Sequence, residues 1–204
     1  MKLYYSPGAC SLSPHIALLE AGLPYDLVKV DLKEKKTENG DDFTKINPKG
    51  QVPALLLDSG ELLTEGPVIV QAIADKAAAK NLAPANGTDE RYKMQEWLNF
   101  TTSELHKNFS PLFNPAIPDE VKNFFKDRIM GKFKYADSQL ADRDYLMGEQ
   151  FTVADGYLFV MLAWADRMKM DLSGFKNLMA YKARVGGRAK VQEALTKEGL
   201  LKAA

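Results

Sequence analysis

The chain predicts an α/β half followed by an all-α half. Three observations carry this. Strand-like and helix-like segments alternate up to about Lys80 in the order β-α-β-α-β-β-α. A turn-forming stretch, Asn81-Leu82-Ala83-Pro84-Ala85-Asn86-Gly87, then reads as a linker. From Thr88 onward the pattern is helical almost throughout. The expected organisation is a mixed-sheet domain over 1–80, a linker over 81–87 and a helical domain over 88–204.

Each element follows from local chemistry. Lys2 to Tyr5 reads as a strand, and Ser6-Pro7-Gly8-Ala9 as a turn. Leu12, Ile16, Ala17 and Leu19 fall on one helical face, Pro14 sits in the first turn, and Ala21-Gly22 ends the helix. Tyr25 to Asp31 alternates as a second strand. Lys33 to Asp42 is charged, and is expected to be irregular and exposed. Phe43 to Ile46 reads as a helical turn. Ala54 to Leu57, Asp58-Ser59-Gly60 and Glu61 to Leu63 read as a hairpin. Gly66-Pro67 opens a helix reaching about Ala79. Five helical segments follow, over about 89–109, 119–141, 152–170, 174–185 and 189–198.

Composition narrows the function. Lys plus Arg and Asp plus Glu both number 27, so the formal net charge is zero. Nucleic acid and anionic membrane both call for a basic surface, so neither is expected as a partner. No arginine precedes Arg91, which argues against bidentate phosphate clamping in the first third. One cysteine cannot form an internal disulfide, and the N-terminal residues do not read as a secretory leader. Together these point to a reducing cytoplasm. The most apolar run, Tyr157 to Ala165, is too short to span a bilayer. Two histidines and one cysteine are too few for a histidine–cysteine metal cluster, so no metal is expected.

Cys10 is the sharpest chemical feature. It follows strand and turn and precedes a helix, where orphan amides and the dipole favour thiolate. The alternative is a small residue kept for packing. In Cys10-Ser11-Leu12-Ser13, serine stands where a dithiol site would carry its second cysteine. A disulfide made at Cys10 therefore needs an outside thiol to resolve it. Asn47 to Pro53 is a turn ending in Val52-Pro53 before a strand, and either presents an edge to an extended peptide or is an ordinary edge proline. Thr64-Glu65-Gly66-Pro67 lies at a helix N-terminus, a natural carboxylate site, and Glu65 is either a receiver for a ligand amine or, as is usual, just a dipole partner. Asn99, Ser103 and His106, spaced i, i+4, i+7, share one helix face that meets either solvent, the commoner case, or a ligand, and His106 can hold or donate a proton near neutral pH. His15 reads as incidental. Thr152 and Asp155 resemble a capping box, a folding signal.

Taken together these motifs resemble the glutathione S-transferases, specifically the bacterial beta class. Tyr4 to Leu12, Asn47 to Leu55, Leu63 to Pro67, Trp97-Leu98-Asn99 with Ser103 to Lys107, and Phe151 to Asp155 carry the likeness in order along the chain. The resemblance implies a thioredoxin-like domain joined to a helical domain, a homodimer, and glutathione as cosubstrate with no further cofactor. It implies a transferase that conjugates the glutathione thiolate to small hydrophobic electrophiles, a detoxification role. By the same resemblance Cys10 and His106 lie near the sulfur. Val52 pairs with the cysteinyl main chain, Glu65 and Gly66 take the γ-glutamyl end, and Lys35 reaches the glycyl carboxylate. Asn99 and Ser103 lie alongside, and Glu104 reaches the neighbouring subunit's site. Tyr5 matches the catalytic tyrosine of other classes in chain position only. Tyr157, Trp164 and Phe113 are the expected electrophile contacts. Gly66 replaces a serine, Gly156 removes a packing side chain, and Ala189-Lys190 replaces a proline-bearing turn. Two alternatives stay open: thiol–disulfide exchange or dehalogenation through a Cys10 mixed disulfide, and a non-catalytic ligand carrier.

Overall fold

A computed structural model describes residues 1–201. The chain divides into two units, Met1–Ala83 with the stretch from Gly187 on, and Pro84–Gly186.

The first unit is built on a five-stranded sheet ordered β3-β2-β1-β4-β5, comprising β1 (Lys2–Tyr5), β2 (Asp26–Asp31), β3 (Lys36–Thr37), β4 (Ala54–Leu56) and β5 (Leu62–Thr64). β1 runs parallel to β2 through the helix α1 (Leu12–Ala21), and antiparallel to β4. Leu3 pairs with Leu55 and Tyr4 with Ala54. Side chains alternate across a strand, so these two pairs face opposite sides of the sheet. On the Tyr4–Ala54 side, Val28, Val30, Val52 and Phe43 of the short α2 (Phe43–Ile46) complete an apolar cluster. α1 is buried at nine of its ten positions, which explains its weak amphipathic pattern. Two neighbours cover it: α3 (Gly66–Lys76) and the distant α9 (Ala189–Lys197). A left-handed Gly22, φ +67°, ends α1 by donating its N–H back into the last turn.

Two findings depart from the sequence reading. The stretch Lys33 to Asp42 is largely exposed, yet it contains β3, and Thr37 is buried against Val30 in the register. The Thr37 hydroxyl donates to Asp41 and accepts from the Asp41 N–H, which closes the turn after β3. The second departure concerns the last helix. α9 groups with the sheet unit rather than with the helices of Pro84–Gly186. Arg188 explains part of this, donating through Nε and Nη2 to both oxygens of Glu20 on α1, at 2.7 and 2.9 Å.

The second unit is helical: α4 (Asp89–Phe100), a π-helical segment Thr101–His106, α5 (Lys107–Phe109), α6 (Asp119–Gln139), α7 (Val153–Arg167) and α8 (Lys176–Gly186). α7 is its core, with the apolar run from Tyr157 to Ala165 buried at every position but Ala163. The capping box at Thr152 and Asp155 forms and starts that helix. None of the described helices is long and apolar enough to cross a membrane.

Candidate functional site

In the first unit the loop Asn47–Pro53 is the hub. Buried Asn47 shapes it, donating from Nδ2 to Gln51 O at 2.7 Å and accepting the Lys49 N–H. The loop ends in a cis Val52–Pro53 bond. Four expected site residues meet it. Cys10 Sγ lies 3.3 Å from Val52 O and donates to it. Lys35 Nζ donates to Gly50 O at 2.9 Å. Gly66 abuts Pro53, since a Cβ at Gly66 would stand 3.8 Å from the Pro53 ring. Lys49 Nζ reaches Glu65 Oε1 at 2.7 Å and the Thr64 hydroxyl at 3.0 Å. Cys10, Lys35, Val52, Glu65 and Gly66 are therefore one constellation, with Glu65 exposed and Cys10 half-buried.

Lys35 and Glu65 adopt positive φ, +54° and +68°. Non-glycine residues there carry strain, and such strain clusters where a side chain must be aimed. Glu65 stands directly before α3, but its side chain makes no capping hydrogen bond there and pairs with Lys49.

The Cys10 environment corrects part of the sequence argument. The Leu12 and Ser13 amides, expected to be orphans, donate to Ala9 O and Cys10 O. Ser11 does not cap α1. Its hydroxyl accepts the Ser6 N–H and donates to Ser6 O, so it braces the turn instead. The thiol is held as a donor to Val52 O. Tyr5 is pushed above the ordinary tyrosine value, first by burial and then by Glu198 and Glu38, which keeps its phenol protonated at neutral pH.

The sequence missed a support behind this turn. The Gly8 N–H donates to Glu198 Oε2 at 2.9 Å. Glu198 Oε1 pairs with His15 Nδ1 at 2.9 Å, and His15 Nε2 meets the Tyr25 hydroxyl at 3.0 Å. The His15 and Glu198 side chains are wholly buried. His15 is thus no incidental residue: it helps clamp the turn before Cys10 to the end of α9. No periodicity links positions 8, 15 and 198. The only signal was a histidine on a helix buried nearly all round.

In the second unit two of the four expected residues, Asn99 and Ser103, bond each other, and Glu104 and His106 reach further partners. Ser103 donates to Asn99 O at 3.1 Å, and both are exposed. Glu104 pairs with Lys132 at 2.6 Å, which lowers its pKa. His106 Nδ1 lies 2.6 Å from the Tyr157 hydroxyl. The shared α-helical face argued from i, i+4, i+7 spacing does not carry over, because 101–106 is π-helical and its turn is wider. Of the residues expected to contact the electrophile, Tyr157 and Trp164 are buried, 3% and 7% exposed, and pack on His106, while Phe113 is more open. An open groove of about 830 Å³ in this unit is lined by Trp97, Phe100, Glu104, Lys132 and Tyr135, among others.

Known proteins place this arrangement. The family model for the glutathione S-transferase N-terminal domain matches residues 8–76, and that for the C-terminal domain matches 100–189. Glutathione S-transferase GstA of Escherichia coli O157:H7 is 49% identical, over 98% of this chain and 100% of its own. Among solved structures, a ternary complex of BphK, a bacterial transferase, is 57% identical with a TM-score of 0.96, covering 98% of this chain and 100% of that one. The bacterial beta-class transferase of Sphingomonas chungbukensis is 50% identical with a TM-score of 0.96 and the same coverage. A sphingomonad transferase complexed with glutathione is 49% identical with a TM-score of 0.95, again over 98% and 100%. The thioredoxin-like sheet unit and the helical unit match the fold of these relatives, and the carrier and thiol-exchange alternatives are not favoured. This chain belongs to the glutathione S-transferase family.

Proposed function

We propose that the constellation around Asn47–Pro53 binds glutathione and delivers its thiolate to a small hydrophobic electrophile. The observation that carries this is the meeting of Cys10, Lys35, Val52, Glu65 and Gly66 on one loop. Val52 supplies main-chain N–H and C=O for the cysteinyl part, in the manner of strand addition. Glu65 takes the γ-glutamyl ammonium, exchanging its bond with Lys49, and the Gly66 amide takes the carboxylate. Lys35 turns from Gly50 O to the glycyl carboxylate.

Docking on Val52 engages the carbonyl that Cys10 now uses. The Cys10 thiol then donates to the glutathione sulfur, and His106 supplies a second hydrogen bond. Asn99 and Ser103 lie alongside, and Glu104 serves the neighbouring subunit of a homodimer. Each unit by which the bound thiol's pKa falls corresponds to about 1.4 kcal/mol. Cytoplasmic localisation follows from the dependence on reduced glutathione.

Calorimetry with reduced glutathione and turnover of an aromatic halide test the reading together. The expected result is saturable heat and conjugation. Glu65→Ala should weaken glutathione about tenfold or more, the range for losing a charged hydrogen bond. No heat with the reduced protein would refute the binding site. Binding without turnover would refute the transferase assignment.

A further inference from the structure

His106 is held more tightly than the resemblance required. It closes the π-helical segment, and its ring meets two aromatic neighbours from α7 nearly edge-on. Trp164 lies 4.9 Å away at 81° and Tyr157 lies 5.9 Å away at 84°. Trp164 is itself packed by Phe109 and Phe113. The Tyr157 hydroxyl stands 2.6 Å from Nδ1, and Tyr157 is almost fully buried.

We propose that Tyr157 positions His106 and sets its tautomer, with the phenol O–H donating to Nδ1 so that the ring hydrogen resides on Nε2. The argument is one of relative basicity. A neutral imidazole nitrogen accepts far better than a phenol oxygen, and a phenol is much the stronger acid of the two. Between them O–H···N is favoured over N–H···O, and the bond at one ring nitrogen fixes the other. The second histidine gives the contrast. His15 Nδ1 faces the Glu198 carboxylate, which when ionised can only accept, so there the hydrogen belongs on Nδ1, with Nε2 accepting from Tyr25. The chain's two histidines thus hold opposite tautomers.

The consequence rests on the reading that His106 lies near the glutathione sulfur. A neutral His106 with hydrogen on Nε2 acts toward that sulfur as a donor to the thiolate. It cannot take the thiol's proton at the same nitrogen. Tyr157 is a positioning residue, and it does not contact the reacting atoms itself.

The test is a long-range proton–nitrogen correlation spectrum of the imidazoles in the nitrogen-15-labelled full chain. The expected spectrum shows His106 bare at Nδ1 and protonated at Nε2, and His15 the reverse. His106 protonated at Nδ1 overturns the proposal without any variant. In Tyr157→Phe the His106 signals should move toward a mixture of tautomers while those of His15 stay. Unchanged His106 signals would overturn the role of Tyr157. The kcat/KM of this variant should fall about tenfold with KM for glutathione held, the lower range for removing a histidine's orienting partner in metal sites. A fall in kcat/KM carried wholly by KM would overturn the positioning role. Wild-type inactivity with the expected tautomers would sink the transferase reading and leave the tautomer assignment standing.

Discussion

Asp155 shows what burial does to one carboxylate. Its oxygens accept from the Leu146 N–H, the Thr152 N–H and hydroxyl, and the Tyr181 hydroxyl. Those bonds pull its pKa down, yet burial outweighs them and pushes it up to about 6. An unfolded aspartate ionises near ~3.9. Between these values the folded chain keeps a proton that the unfolded chain has lost. The stabilisation tied to that proton is fully present below about pH 4 and is lost as pH rises through 6. Asp155→Asn cannot titrate. Between pH 4 and 7 its unfolding free energy should fall by roughly 2–3 kcal/mol less than that of the parent, read from denaturant melts at each pH. Asp155→Ala strands several buried donors and should cost about 3 kcal/mol or more at pH 7 in the same melts.

Among the elements, the end of α9 and the turn before Cys10 act as one piece. Glu198 accepts from Gly8 and pairs with His15, and Leu200 lies over Gly8, where an added Cβ would stand 3.3 Å from its Cδ2. Gly8 also holds φ +69°. Gly8→Ala therefore combines left-handed strain with a tight contact and should lose about 1–2 kcal/mol. Glu198→Ala removes the carboxylate that meets a half-buried amide and a buried imidazole and should lose about 2–4 kcal/mol. Thermal unfolding measures both losses. If the turn relies on this clamp, alkylation of Cys10 should also change rate in Glu198→Ala, and an unchanged rate would confine Glu198 to stability alone.

For the molecule as a whole, the two units are not the two halves of the sequence. The sheet unit needs its last stretch, from Gly187, to cover α1 and to supply Arg188 and Glu198. A chain ending at Gly186 should lose cooperative unfolding of the sheet unit, because it exposes the apolar surface of α1 and removes Arg188 from Glu20 and Glu198 from Gly8 and His15. Circular dichroism melts would show this as a lowered or broadened transition. Ligand linkage works at the same scale. If glutathione binds the folded chain alone, a concentration near 100 times its Kd should raise stability by about 2.7 kcal/mol, visible as a higher Tm. An unmoved Tm at saturating glutathione would contradict the proposed binding.

The sequence by itself determined most of the elements and their order, though not β3. Periodicity, Gly22 as a helix stop, the Asp58-Ser59-Gly60 turn and the Thr152–Asp155 cap are local signals, and local signals are written within a few residues of the structure they specify. It also marked Cys10, Val52, Glu65 and Gly66, whose motifs are short and contiguous, whereas Lys35 came only from the family resemblance. Tertiary structure alone decided what those groups touch. Lys49 on Glu65, Cys10 on Val52 O, Glu198 on Gly8 and Tyr157 on His106 join positions 16, 42, 190 and 51 residues apart. It also decided the π-helical phase of 101–106, which no 3.6-residue pattern announces. A hydrogen bond has no period. It forms where packing brings a donor to an acceptor, and only the folded chain settles where that is.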